Sequence, residues 1–479
     1  MRPQPLSQVA LAPKARLQTG FAEMDSVLGG GIVKGSATLL AGDPGIGKST
    51  LLLQLCLNLA RGANKEILNH PSTSFTLEAR RVNVQDDKKK IALSDALRND
   101  NPKTVLYISA EESKEQVAMR AMRILQQEHE KTLNGSSTLL KVENDKENGS
   151  PIRLDNTMPE NLLLLSITNV DQIIAILTDS KPAFVVIDSV QTVESEEAGG
   201  LSGSMSQIRY ATSQFIRIAK THNIPVFLVG HVTKEGMVAG PMVLSHMVDT
   251  VLFLEGEKYT KTRILRSFKN RFGPVDEVGI FLMEGEGMQE VKNPEQIFLS
   301  SEANQQAPGS VLTVIMEGSR PFLIEIQALV VYSKFPMPRR ISTGLDTRRV
   351  ELLLAVLQKH AKLPLEHYDV FVNVAGGIKV NDRAVDLGVC LAVYSSLKNH
   401  AMPKVVGIAE VGLLGELRRV PDVTKRVREA KKLGFTNVVS AEAHRSLMEV
   451  LENFGYVANK KEWHAEDERH FRIATDEEA

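Results

Sequence analysis

Only two cysteines, Cys56 and Cys390, occur in the 479 residues. That is too few for a four-cysteine metal site. Set far apart in apolar surroundings, they suit a reducing compartment as small core side chains better than they suit a disulfide. No stretch approaches the roughly eighteen consecutive apolar residues of a membrane-spanning helix, and the N-terminus lacks the charged-then-apolar order of a secretory signal. The chain is therefore expected inside a cell, in the cytoplasm, or in an organelle stroma or matrix if the source is a eukaryote, with no membrane contact. Neither sign of charge dominates: 57 Lys and Arg stand against 58 Asp and Glu, a formal net charge of −1. Any nucleic-acid contact has to come from a local basic surface. What is left is an ordinary globular composition, 43% hydrophobic and 24% charged, in a chain past the length at which one core keeps growing, so two or more domains are expected.

The most informative segment is Gly42-Asp43-Pro44-Gly45-Ile46-Gly47-Lys48-Ser49, which satisfies the P-loop pattern and is followed by Thr50. Glycines let the backbone curl so that successive N–H groups face phosphate oxygens, Lys48 supplies a point charge to the β- and γ-phosphates, and Ser49 is left to hold the metal. The flanks agree: Ala37 to Ala41 reads as a buried strand, and Leu-rich Thr50 to Ala60 as the helix whose N-terminus faces the phosphates. ATP and Mg²⁺ are the expected ligands.

Further apolar strands, each ending in polar residues, follow at Thr104 to Ser109, Asn161 to Leu165, Phe184 to Ser189 and Pro225 to His231. Alternating with helix signals, they predict an α/β fold with a mostly parallel sheet whose carboxyl strand ends converge on the nucleotide. Asp188, directly after four apolar strand residues, fits the Walker B arrangement at Mg²⁺. The plainer alternative is a helix N-cap after a strand, which the neighbouring P-loop disfavours. Glu111, expected at the tip of the strand beside the P-loop, is the candidate to orient and deprotonate water. The competing reading makes Glu111 and Glu112 solvated first-turn carboxylates. His231 reads as a γ-phosphate sensor or as a structural histidine.

The ordered strings Thr19-Gly20-Phe21, Met24-Asp25, Val27-Leu28-Gly29-Gly30-Gly31, Tyr107-Ile108-Ser109-Ala110-Glu111-Glu112-Ser113, Ile187-Asp188-Ser189-Val190-Gln191-Thr192, Gly230-His231-Val232-Thr233-Lys234-Glu235-Gly236 and Lys269-Asn270-Arg271-Phe272-Gly273, with the P-loop, resemble the bacterial RadA/Sms family. The last is that family's signature pentapeptide. The resemblance runs from about residue 5 to about residue 460. It implies a RecA-like ATPase core that assembles as a homo-hexameric ring, binds single-stranded and branched DNA, drives branch migration, and works beside a RecA-type recombinase. In the pentapeptide, Lys269 and Arg271 supply cations, Phe272 an aromatic surface or packing anchor, and Gly273 a tight turn. A solvated basic turn is the plain alternative. Gly199 to Ser204 reads as a flexible loop able to face DNA. The four-cysteine zinc finger with which such proteins usually begin is absent, so zinc is not expected.

The expected organisation is an extension at 1–16, an ATPase domain at 17–290 with polar insertions near 64–103 and 127–160, a linker at 291–309, a second domain at 310–459 and a tail at 460–479. The second domain resembles the α+β Lon-type peptidase fold, in which a lysine activates a serine. Here the serine position aligns with Ala384 and the lysine position with Thr424, so a fold without proteolysis is expected. Basic residues including Arg339, Arg340, Arg348, Arg349, Lys379, Arg383, Arg418 and Arg419 offer it a positive surface. An ATP-regulated peptidase and a nucleotide-gated scaffold of the KaiC-like kind remain as alternatives.

Overall fold

A computed structural model describes residues 16–65, 104–135, 158–231, 241–256, 260–285, 287–291, 293, 295–299, 307–402 and 404–455. Most of the expected N-terminal extension, the bulk of both insertions, Val232 to Gly236 and the tail fall outside these residues. The chain divides into two compact units, Met1–Val291 and Lys292–Ala479. Among the described residues, no helix is long and apolar enough to cross a membrane.

In the first unit, β1 (Arg16–Leu17) pairs with β2 (Ile32–Val33) around helix α1 (Ala22–Val27). Then come β3 (Ala37–Gly42), α2 (Lys48–Lys65), β4 (Val105–Ser109), α3 (Lys114–Gly135), β5 (Leu162–Ser166), α4 (Val170–Ser180), β6 (Phe184–Asp188), α5 (Met205–His222), β7 (Val226–His231), α6 (Pro241–Ser245), β8 (Thr250–Glu255), β9 (Thr262–Asn270), β10 (Val278–Glu284) and β11 (Gly287–Glu290). One nine-stranded sheet runs β11-β10-β9-β8-β3-β7-β6-β4-β5. The six strands from β8 to β5 are parallel, and β9, β10 and β11 continue the sheet antiparallel.

Burial on both faces explains why β3, β4 and β6 read as continuous apolar runs: every residue of each is buried. One face packs Leu40, Phe227, Val186 and Tyr107 against Leu51, Leu55 and Cys56 of α2. The other packs Leu39, Leu228, Ile187 and Ile108 against Ile173 and Leu177 of α4 and Phe215 of α5. Cys56 is fully buried, which pushes its thiol pKa up.

The second unit opens with α7 (Glu295–Phe298), followed by β12 (Ser310–Glu317), β13 (Arg320–Tyr332), β14 (Arg340–Thr343), α8 (Thr347–Ala361), β15 (Tyr368–Val374), α9 (Asp386–Leu397), β16 (Val405–Ile408), β17 (Glu410–Val411), β18 (Leu417–Arg418), α10 (Val423–Lys432), β19 (Asn437–Ser440) and α11 (Leu447–Asn453). A mixed six-stranded sheet runs β14-β15-β13-β12-β16-β19. Helix α9 is buried from Asp386 through Ser395, because it is apolar all round and packs on β13, β12 and β16.

Candidate functional site

The phosphate loop connects β3 to α2. A Cβ on Gly42 would lie 2.4 Å from the Leu254 carbonyl oxygen, and Gly45 and Gly47 adopt φ of +79° and +109°. Only glycine makes this loop at low cost. Lys48 is buried, and its Nζ donates to the Gly42 carbonyl at 2.8 Å and the Asp43 carbonyl at 2.9 Å. Burial pulls its pKa down, opposed by the negative charges of Asp188, Glu111 and Asp43.

Asp188 ends β6, 5% exposed, where burial raises its pKa. Hydrogen bonds from Ser49 and from Tyr107 oppose that rise, the latter donated by the phenol to Oδ2 at 2.6 Å. The carboxylate thus joins the P-loop serine to a phenol buried in the sheet. This donor set, a hydroxyl and a carboxylate beside the phosphate loop, fits Mg²⁺ carried on a triphosphate. Removing the phenol deprives a buried anion of a donor. In Tyr107→Phe the Mg²⁺ concentration for half-maximal ATP turnover is expected to rise about tenfold, equivalent to about 1.4 kcal/mol. An unchanged Mg²⁺ titration would refute that role for Tyr107.

Glu111 sits on the loop after β4, and here one expectation is corrected. β4 is not beside the P-loop strand, because β7 and β6 lie between it and β3. The carboxylate still reaches the site's other groups. It accepts a short hydrogen bond from the Ser189 hydroxyl and lies 3.2 Å from His231 Nε2. The His231 hydrogen bond, with Ser189 and the charge of Lys48, holds Glu111 below the usual carboxylate range. His231 in turn exchanges two backbone hydrogen bonds with the Gln191 side chain, at 2.9 and 3.0 Å. Lys48, Ser49, Glu111, Asp188 and His231 are therefore gathered at one end of the parallel strands. Ser189, Gln191 and Tyr107 were not singled out from sequence, although all three lie inside the strings that carried the family resemblance.

The pentapeptide lies elsewhere. Asn270, the last residue of β9, pairs with Thr250, the first of β8. That is the end of the sheet opposite the P-loop, a strand length of about 20 Å away. Lys269 Nζ donates to the carbonyls of Ser245 at 2.7 Å and Val248 at 2.8 Å, so its cation stitches together the turn before β8. Arg271 approaches Asp249 at 3.4 Å with its side chain 54% exposed, and Lys220 binds the same carboxylate at 2.5 Å. Asn270 Oδ1 accepts from the Phe272 amide at 2.9 Å, and the Lys220 ammonium stands 5.9 Å from the Phe272 ring centre. Gly273 is required by close approach rather than by a tight turn: a Cβ there would lie 3.0 Å from Gly29 Cα. The glycine loop Gly199 to Ser204 is tied to the start of α5 by Ser206 Oγ donating to the Gly199 carbonyl at 2.6 Å.

In the second unit, Ala384 is fully buried in a short turn before α9 and Thr424 is exposed on α10. The group beside Ala384 is an ion pair. Asp382 accepts from the Ala384 amide at 2.9 Å and from buried Arg426 at 2.6 Å. Two of the basic residues read as surface cations are spent internally, Arg349 on Asp386 and Arg340 on the Tyr368 and Leu365 carbonyls, whereas Arg339 pairs with Asp369 and stays exposed.

The family described as DnaB-like helicase C terminal domain, a RecA-like ATPase module, matches residues 16–237, in agreement with the expected α/β fold. Proteins described as DNA repair protein RadA resemble the chain over most of its length. That of Halalkalibacterium halodurans is 40% identical over 439 residues, covering 91% of this chain and 80% of the relative. Those of Bacillus subtilis and Pseudomonas aeruginosa are 40% and 41% identical, covering 92% and 91% of this chain and 81% and 80% of their own. The solved structure of the RadB recombinase covers 58% of this chain and all of its own at 20% identity, with a TM-score of 0.35. With two-fifths of its residues shared along nine-tenths of its length, the chain belongs to the RadA family of DNA repair proteins.

Proposed function

We propose that this protein is a DNA-dependent ATPase of recombinational repair, which binds single-stranded DNA and drives branch migration of recombination intermediates as a hexameric ring. In this reading residues 17–290 form the motor domain, and residues 310–459 form a Lon-like domain without peptidase activity that supports ring assembly. The partners are single-stranded and branched DNA and a RecA-type recombinase.

The observation that carries the reading is the separation of two charge centres within one sheet. The P-loop grips the triphosphate at the carboxyl ends of the parallel strands, while Arg271 stands about 20 Å away at their amino ends. A single subunit cannot bring them together, whereas a head-to-tail ring can, placing a neighbour's cation where transition-state charge develops. Within the site Lys48 binds phosphate, Ser49 and Asp188 hold Mg²⁺, and Glu111 takes the proton of the attacking water. Bound there, Mg²⁺ would supply charge neutralisation on the triphosphate. His231, hydrogen-bonded to Glu111, is the γ-phosphate sensor of this reading.

The absence of peptidase chemistry is supported by Arg426, which fills the ground beside Ala384 with a paired guanidinium. Installing a serine at 384 and a lysine at 424 is therefore expected to leave casein uncleaved. The test of the motor reading is steady-state ATP turnover titrated with single-stranded DNA at low salt. Turnover is expected to rise and saturate, and to fall again as salt is raised, because phosphate contacts release condensed counterions. A flat response across all DNA concentrations would overturn it.

A further inference from the structure

Arg263 is 7% exposed at the start of β9, on the antiparallel side of the sheet. A guanidinium is expensive to bury and is retained where its donors are used. Nε donates to the Ile46 carbonyl at 3.1 Å, and Nη1 to the carbonyls of Thr260 at 2.6 Å and Thr262 at 2.8 Å. Room for the side chain is left by Gly256 across the β8–β9 connection, where a Cβ would lie 2.8 Å from Arg263 Cδ. Ile46 is inside the phosphate loop, so a strand that sequence reading did not attach to the site holds one of the loop's carbonyls.

The consequence is stereochemical. A trans peptide group is planar, so the carbonyl of Ile46 and the N–H of Gly47 point to opposite sides of one rigid unit. Gly47 itself, at φ +109°, imposes no preference on that unit, since glycine populates both halves of φ space. A fixed donor behind the Ile46 carbonyl supplies the missing choice. We propose that Arg263 is a positioning residue for triphosphate binding, which pins the Ile46 carbonyl outward and thereby aims the Gly47 N–H at the phosphate groups. The inference rests on the nucleotide reading of the P-loop given above.

Such a contact serves bound nucleotide and transition state alike, so its loss raises KM and leaves kcat nearly unchanged. The experiment compares wild type, Arg263→Gln and Arg263→Lys. It measures binding of MgADP and of Mg²⁺ with a non-hydrolysable ATP analogue, turnover at saturating ATP, and the thermal midpoint without nucleotide. Both variants are expected to bind both nucleotides about tenfold more weakly, with kcat within about threefold of wild type. Arg263→Lys keeps a cation over the Thr260 and Thr262 carbonyls but lacks the Nε–H that reaches Ile46. It is expected to fold and still show the loss, so it decides the question if Arg263→Gln fails to fold. Wild-type affinity in either folded variant overturns the assignment alone. A wild type that retains no nucleotide overturns both this inference and the reading it rests on.

Discussion

Lys48→Ala is expected to abolish ATP hydrolysis, with turnover reduced by at least about 10²–10³-fold, the usual cost of removing one fixed charge from a site of developing negative charge. Lys48 is 3% exposed, and its Nζ lies on the Gly42 and Asp43 carbonyls of the loop. It is thus held where phosphate oxygens arrive. Lys48 begins α2, and alanine is the best helix former, so the helix tolerates the change. Far-ultraviolet circular dichroism and the thermal midpoint without nucleotide are expected to stay near wild type. Turnover that survives in a folded Lys48→Ala would remove the catalytic assignment.

Glu111→Gln carries the second large effect. A general base contributes about 10²–10⁴ in rate, so kcat is expected to fall by that factor while MgATP affinity stays close to wild type. The amide keeps the shape and still accepts from Ser189, but it takes no proton. The pH dependence has a definite sign. Hydrogen bonds from His231 and Ser189 stabilise the ionised carboxylate and keep its pKa below the ordinary 4.5. The base is therefore ionised at every pH above its depressed pKa, and the acid limb of kcat/KM attributable to it lies below 4.5. Removing the stronger donor in His231→Ala should move that limb upward. A Glu111→Gln enzyme that turns over at the wild-type rate would return the carboxylate to the solvated surface.

The parts of the fold legible in sequence are those fixed by local chemistry. β3, β4 and β6 are buried on both faces and announce themselves as apolar runs, and the P-loop is a contiguous string whose glycines answer to backbone geometry. The place of Asp188 at the end of β6 was legible because the apolar run before it reads as a buried strand. What sequence did not show was set by pairing between distant strands. The order of the sheet, which puts β7 and β6 between Glu111's strand and the P-loop, depends on packing over the whole first unit. The antiparallel extension through β9 to β11 was invisible as a feature of the site. With it went the role of Arg263, which in the string Thr262-Arg263-Ile264-Leu265-Arg266 looks like any charged residue of an alternating strand. Tyr107 reads as a β-favouring core aromatic until its hydroxyl is seen on Asp188. The pentapeptide could be recognised but not located, and location separates Lys269, spent on carbonyls, from Arg271, which is left exposed.

The central claim, that the loop from Gly42 to Thr50 binds ATP with Mg²⁺ as the fuel of this protein, is tested most directly by equilibrium titration of the purified chain with a fluorescent ATP analogue, with and without Mg²⁺. Saturable binding at one nucleotide per chain, strengthened by Mg²⁺ and lost in Lys48→Ala, is the result expected. No retention of adenine nucleotide in the presence of Mg²⁺, by protein shown to be folded, would contradict it.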